Sequence, residues 1–196
     1  MVFLLFQILG VLFYTQVTTF ICEQIDFSKT VTLGQVVSRE QKLGCTVKPS
    51  PMNVGLGNEY YPNLKEYDLQ NPMVAECESK EGLALYTEYF FTPDSIVRVL
   101  LATWNTPFSS LEQSDKTTPE EALIANKLLY QDKITELQNI LIERLGQPYL
   151  NAAHKPFDAT SELLEYKWKG AFNAELSVVF SNKNGYSRLR LLVFRD

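Results

Sequence analysis

One histidine among 196 residues denies this chain most imidazole chemistry, whether proton transfer or metal ligation. His154 lies in Asn151-Ala152-Ala153-His154-Lys155-Pro156, and no G-x-S-x-G elbow is present. A Ser-His-Asp hydrolase has only His154, with Asp158 or Asp68 and an unidentified serine, to work with. Zinc held by Cys45, Cys77 and His154 needs three distant loops to converge, without C-x-x-C or H-x-x-x-H spacing to gather them. Gly55-Leu56-Gly57 runs into Asn58-Glu59-Tyr60-Tyr61 without the lysine or helix start of a phosphate loop. Positive charge is also short. Eighteen Lys and Arg face 23 Asp and Glu, a net −5, which removes the field that holds proteins to nucleic acid. The expected inventory therefore holds no catalytic, cofactor-binding or metal-ligating residue, and nucleic acid is not an expected partner.

What the chain does have is apolar material, 45% of its residues with 12% aromatic, enough for one substantial core or two small ones. Residues 1–22 stand apart. They carry 16 apolar residues and no charge, the composition that partitions into a membrane or translocon. Gln7, Gln16 and Thr15, Thr18 and Thr19 dilute the second half of the segment, which favours a cleaved export signal over a retained anchor. No basic residue precedes the run, and Val17-Thr18-Thr19 substitutes for an A-x-A cleavage site. Cys22 raises lipidation as a third fate, although Thr19-Phe20-Ile21 lacks the small residue expected beside a lipidated cysteine. Every one of these readings exports residues 23–196, and membrane contact is confined to residues 1–22 if they are kept.

Cys45 and Cys77 suit an oxidising compartment as one disulfide, closing a loop of a few tens of residues and adding about 3 kcal/mol. The plain alternative is three small buried apolar residues.

The order of elements repeats in outline. Thr118, Pro119 and Glu121 supply an N-cap, a first-turn proline and a capping-box partner. Leu123, Tyr130, Ile134, Leu137, Leu141 and Leu145 then recur at helical spacing up to Gly146 and Pro148. This predicts a helix over 119–145, with a break allowed near 130–132. In the first half Leu33, Val36, Val37 and Leu43 give a shorter stripe ending at Gly44. Residues 83–91 and 96–104 flank Thr92-Pro93-Asp94-Ser95, and 174–181 and 188–194 flank Asn182-Lys183-Asn184-Gly185, so two hairpins are expected. A preceding strand near 73–78 and another near 163–169 make each a three-stranded meander. The fold class predicted is α+β: two tandem units, each a helix on a three-stranded antiparallel sheet in two layers. They cover residues 23–108 and 119–196, with 109–118 as linker, and the two sheets either stay separate or pair into one continuous sheet of about six strands.

The helix end Leu145-Gly146-Gln147-Pro148 and the strand Tyr166-Lys167-Trp168 resemble a pattern in small bacterial envelope proteins. Among these are the lipoprotein subunit of the β-barrel assembly machinery and the secreted β-lactamase-inhibitor protein, which has two tandem units. The resemblance covers 134–194 and implies a noncatalytic envelope protein that works by protein contact.

Two surface groups are candidates for that contact. Lys167, Lys169, Arg188 and Arg190 can share one outer face beside the sheet edge if their antiparallel strands are adjacent, where they either orient an acidic partner or an anionic membrane surface or discourage strand-to-strand aggregation. Tyr60 and Tyr61, in the loop NEYYPNLKEY, either offer aromatic binding energy or roof a core. Glu76 and Glu78 flank Cys77 on one strand face and read as a solvent-facing pair.

Overall fold

The computed structural model describes residues 30–52, 55–58, 60–77, 83–105, 119–158, 161–181 and 187–195. The 1–22 segment with Cys22, the 109–118 linker, Thr118, Glu78 and the 182–185 turn lie outside them.

Thr32 starts the first helix, α1 (Leu33–Lys42), through a capping box: Gln35 N–H donates to Thr32 Oγ1 at 3.4 Å and Thr32 N–H to Gln35 Oε1 at 2.9 Å. The helix ends in a Schellman turn at Gly44, whose φ of +83° suits glycine. Gly44 N–H donates to the Gln41 carbonyl and Cys45 N–H to the Glu40 carbonyl, both at 3.0 Å. The second helix, α2 (Pro119–Leu145), runs unbroken through 130–132. It stops at Gly146, φ +79°, whose carbonyl accepts from the Trp168 indole at 3.0 Å.

The eight strands are β1 (Thr46–Pro49), β2 (Met73–Cys77), β3 (Ala84–Phe91), β4 (Val97–Asn105), β5 (Leu150–Asp158), β6 (Ser161–Lys169), β7 (Asn173–Ser181) and β8 (Ser187–Phe194). All belong to one antiparallel sheet in the order β1-β2-β3-β4-β8-β7-β6-β5. This corrects the predicted fold class. Two separate helix-on-sheet units of three strands do not form; a single eight-stranded sheet with two helices does. The join is β4 with β8, from Val99 opposite Phe194 to Asn105 opposite Arg188. Its cause is the apolar character on both faces of the stretches Val99–Ala102 and Leu191–Phe194, with Leu100 opposite Val193 on one side and Leu101 opposite Leu192 on the other. Such strands belong at the centre of a sheet, not at the edges of two.

The fourth strand of each half was not anticipated. β1 carries Lys48 and Pro49, and β5 carries Pro156 and two register shifts. Both are edges, where proline, lysine and bulges discourage pairing with another chain. His154 is thus on edge strand β5 and not in a loop.

Strand alternation sorts the sheet into two faces. On the first, Tyr130, Ile134, Leu137 and Leu141 of α2 pack over Leu176, Val178, Leu189 and Leu191, and the same cluster extends to Val36, Leu85, Tyr89 and Trp104. On the second face a strap of chain, residues 55–58 and 60–70, covers the ends of β3, β4 and β8. There Tyr61, Phe90, Val99 and Leu192 form a separate buried cluster with Leu64, Tyr67, Leu69 and Phe194 at its margin.

Candidate functional site

Pairing registers place four cross-strand rows on the second face. One row runs Tyr86, Thr103, Arg190, Ser177, Glu165 from β3 to β6, and the next runs Glu88, Leu101, Leu192, Glu175, Lys167. Arg188 stands one row above, between Asn105 and Val179, and Lys169 one row below, beside Asn173. The four candidate cations do share a face, but in two pairs, on β6 and β8, with β7 between them.

Their electrostatics differ from a plain basic strip. Lys167 Nζ lies 2.9 Å from Glu175 and 3.2 Å from Glu165, so two carboxylates enclose one ammonium. Burial lowers the Lys167 pKa, but hydrogen bonds and charge from both glutamates outweigh it and hold the amine above its usual range. Across β4, burial raises the Glu88 carboxyl while the Arg190 charge pulls it down; the net direction is up. Burial, followed by the charges of Glu88 and Glu76, pushes the Tyr86 phenol up as well. Lys48 pairs with Glu76 at 2.8 Å at the far edge. The face is therefore a mosaic of both signs. Lys169 is exposed and Arg188 half-buried.

The strap divides the tyrosine pair. Tyr61 is fully buried, its ring edge-on to Phe194 with centroids 5.7 Å apart, whereas Tyr60 is 39% exposed. Tyr67 receives the Arg98 guanidinium 4.1 Å above its ring. Between strap and sheet lies a cleft of about 270 Å³ lined by Leu56, Leu64, Leu69 and Phe90, with Gln70 and Asn71 at its polar end.

The first face holds the expected Cys45–Cys77 disulfide together with two polar partners, Glu40 and Tyr89, that sequence reasoning did not single out. Cys45 and Cys77 form a disulfide, with Cα atoms 4.4 Å apart. Glu40 Oε2 lies 3.8 Å from Cys77 Sγ, and Glu40 Oε1 accepts a hydrogen bond from the Tyr89 hydroxyl. Burial raises the Glu40 carboxyl, opposed by that bond, and burial together with Glu40 drives the Tyr89 phenol well up. A signal was present in the sequence. The Leu43-Gly44 helix end fixes residue 45 against the carbonyl of residue 40.

Asp68 lies in the strap and Asp158 at the end of edge strand β5, and the side chains of His154 and Asp158 lie outside the described residues. Among the described residues, the one group of three donors spaced for a metal ion is Glu40, Cys45 and Cys77. No helix of the described residues is long and apolar enough to cross a membrane. Comparison of the chain with protein-family models, curated proteins and solved structures finds no match.

Proposed function

We propose that this chain is an exported, noncatalytic binding or scaffolding protein of a bacterial envelope, and that it engages a protein partner through the second face of its sheet. The observation that carries the reading is the asymmetry of the sheet. Both helices pack on one face, while the other presents Arg188, Arg190, Lys167 and Lys169 among acidic and aromatic side chains, with the strap over one end only. Edge strands guarded by Pro49, Lys48 and Pro156 disfavour recognition by strand addition. A mixed-charge face suits a partner of complementary pattern, because paired charges set register and reject wrong partners more than they add affinity.

Export is supported by the Cys45–Cys77 disulfide, which persists in oxidising compartments, and by the uncharged 1–22 segment. Envelope residence draws on the resemblance at Leu145-Gly146-Gln147-Pro148 and Tyr166-Lys167-Trp168. The test joins both parts. N-terminal sequencing of protein from cells should find a start after residues 16–23; an intact Met1 on membrane-bound protein replaces the signal by an anchor, and protein retained in the cytosol ends the export reading. Capture from envelope extract should give a partner held by the wild type and by His154→Ala, and lost from Arg188→Glu/Arg190→Glu. A partner held equally by the double variant ends the assignment of the face. Hydrolytic activity abolished by His154→Ala ends the noncatalytic reading.

A further inference from the structure

We propose that the chain, once its disulfide is reduced, carries a binding site for a divalent transition metal ion of the Zn(II) class, made by Cys45, Cys77 and Glu40. The three donor atoms lie within 4.8 Å of one another. Two thiolates and a carboxylate are a donor set that Zn(II) accepts, with the fourth position left to water. A tetrahedral ion with bonds of about 2.0–2.3 Å holds its donors about 3.5–3.8 Å apart, and Cys77 Sγ and Glu40 Oε2 already stand at 3.8 Å.

The fold fixes each donor by a separate device. The Schellman turn ties Cys45 to Glu40 through the bond from Cys45 N–H to the Glu40 carbonyl. Cys77 is held in register on β2, opposite Leu85 of β3. Glu40 is 3% exposed, and the Tyr89 hydroxyl occupies Oε1, leaving Oε2 toward the sulfurs. A hydroxyl on the outer oxygen orients a ligating carboxylate in the way that second-layer hydrogen bonds orient metal ligands generally. Cys77 is only partly buried, which gives an ion an approach.

The disulfide and the metal exclude each other. A dithiol supplies two electrons and two protons to the S–S bond and closes to a cyclic disulfide, or a phosphine supplies the electron pair while a water molecule gives its oxygen to the phosphine oxide and its two protons to the sulfurs. Two protons then reside on Cys45 and Cys77, and the incoming cation releases both to solvent as two sulfur–metal bonds form. β1, which follows Cys45, is a four-residue edge strand, so the sulfurs can part without disturbing the centre of the sheet.

The test uses the full chain carrying Cys22→Ser, reduced with a phosphine under anaerobic conditions and titrated with Co(II). The expected result is one ion per chain, with thiolate-to-cobalt charge transfer and tetrahedral ligand-field bands that Zn(II) erases. The oxidised chain should give neither. Glu40→Gln, which keeps the shape and the Tyr89 contact, should weaken binding at least about tenfold, and Cys77→Ser should abolish the charge-transfer band. Near-ultraviolet circular dichroism on the same samples reports the fold. A reduced, folded chain without the cobalt bands overturns the proposal, as does a reduced chain that has lost its tertiary signal. Equal affinity in Glu40→Gln overturns the role of the carboxylate.

Discussion

Reducing the Cys45–Cys77 bridge should cost this protein a large but survivable share of its stability. The bridged residues are 32 apart. Loop-closure entropy for a loop of that size is worth about 3.5–4 kcal/mol at 25 °C, because the cross-link restricts the unfolded chain far more than the folded one. The folded side should change little. Cys45 stays anchored by its N–H to the Glu40 carbonyl, and Cys77 by its pairing with Leu85 of β3, next to Glu76, which pairs with Thr46 of β1. Domains of this size commonly have about 5–15 kcal/mol in reserve, so the reduced chain should remain folded with a melting temperature lower by about 10 °C. Urea unfolding of the Cys22→Ser chain, with and without phosphine, measures the difference directly. Unfolding slopes should rise slightly on reduction, since the freed loop exposes more surface in the unfolded state. A loss under about 1 kcal/mol would refute the reasoning, because the denatured ensemble would then have to hold residues 45 and 77 together without the bond.

Four further outcomes follow from the same contacts. Tyr61→Ala should destabilise by about 3–5 kcal/mol, as removal of a fully buried aromatic does, while Tyr60→Ala should change stability by less than about 0.5 kcal/mol; thermal melts separate the two. Lys167→Met should cost about 1 kcal/mol, with the loss shrinking as salt screens the half-buried Glu165 and Glu175 charges from each other. Because the folded state holds the Glu40 proton more tightly than the unfolded state does, stability should fall as pH rises from the usual 4.5 through the raised folded value, then level off; Glu40→Gln should lack that segment of the curve in urea midpoints taken from acid to neutral pH. Leu192→Asp, by burying an unpaired carboxylate at the β4–β8 join and in the strap cluster, should unfold the whole sheet in one transition and not one half of it.

The elements that the sequence made legible are those with strong local rules. Pro119 and Gly146 bound α2, Thr92 to Ser95 turn β3 into β4, and an aromatic run marks β3 while aliphatic runs mark β4, β7 and β8. The edge strands were not legible, for a physical reason. An edge strand needs neither apolar alternation nor a full set of donors, so Thr-Val-Lys-Pro and Leu-Asn-Ala-Ala-His-Lys-Pro read as irregular chain although both pair. The join of the halves left a trace in Val99-Leu100-Leu101-Ala102 and Leu191-Leu192-Val193, apolar on successive residues where a half-exposed strand would alternate. At the candidate site, alternation put Lys167, Lys169, Arg188 and Arg190 on one face together with Glu165, but could not show that Glu175 stands opposite Lys167 on β7, so that two carboxylates enclose its ammonium. Sequence spacing also cannot separate Tyr60 from Tyr61, since neighbours in a loop obey no fixed period.

The quenching of Lys167 bears on how such a face would recognise anything. An ammonium already shared by Glu165 and Glu175 offers little attraction to an acidic partner, because a third carboxylate would have to displace one of two formed contacts. Arg190 works against the raised Glu88 carboxyl in the same manner. Recognition then falls to Arg188 and Lys169, which flank the mosaic above and below, and to the apolar side chains in the Arg188 row, Val179 and Leu163. A partner selected by such a surface must match its pattern and not its net sign. The salt dependence of capture distinguishes the two cases. Binding through a matched mosaic should weaken only modestly with added salt, whereas binding driven by long-range attraction to a basic strip should collapse steeply, and the steep outcome would contradict the ion pairs seen around Lys167.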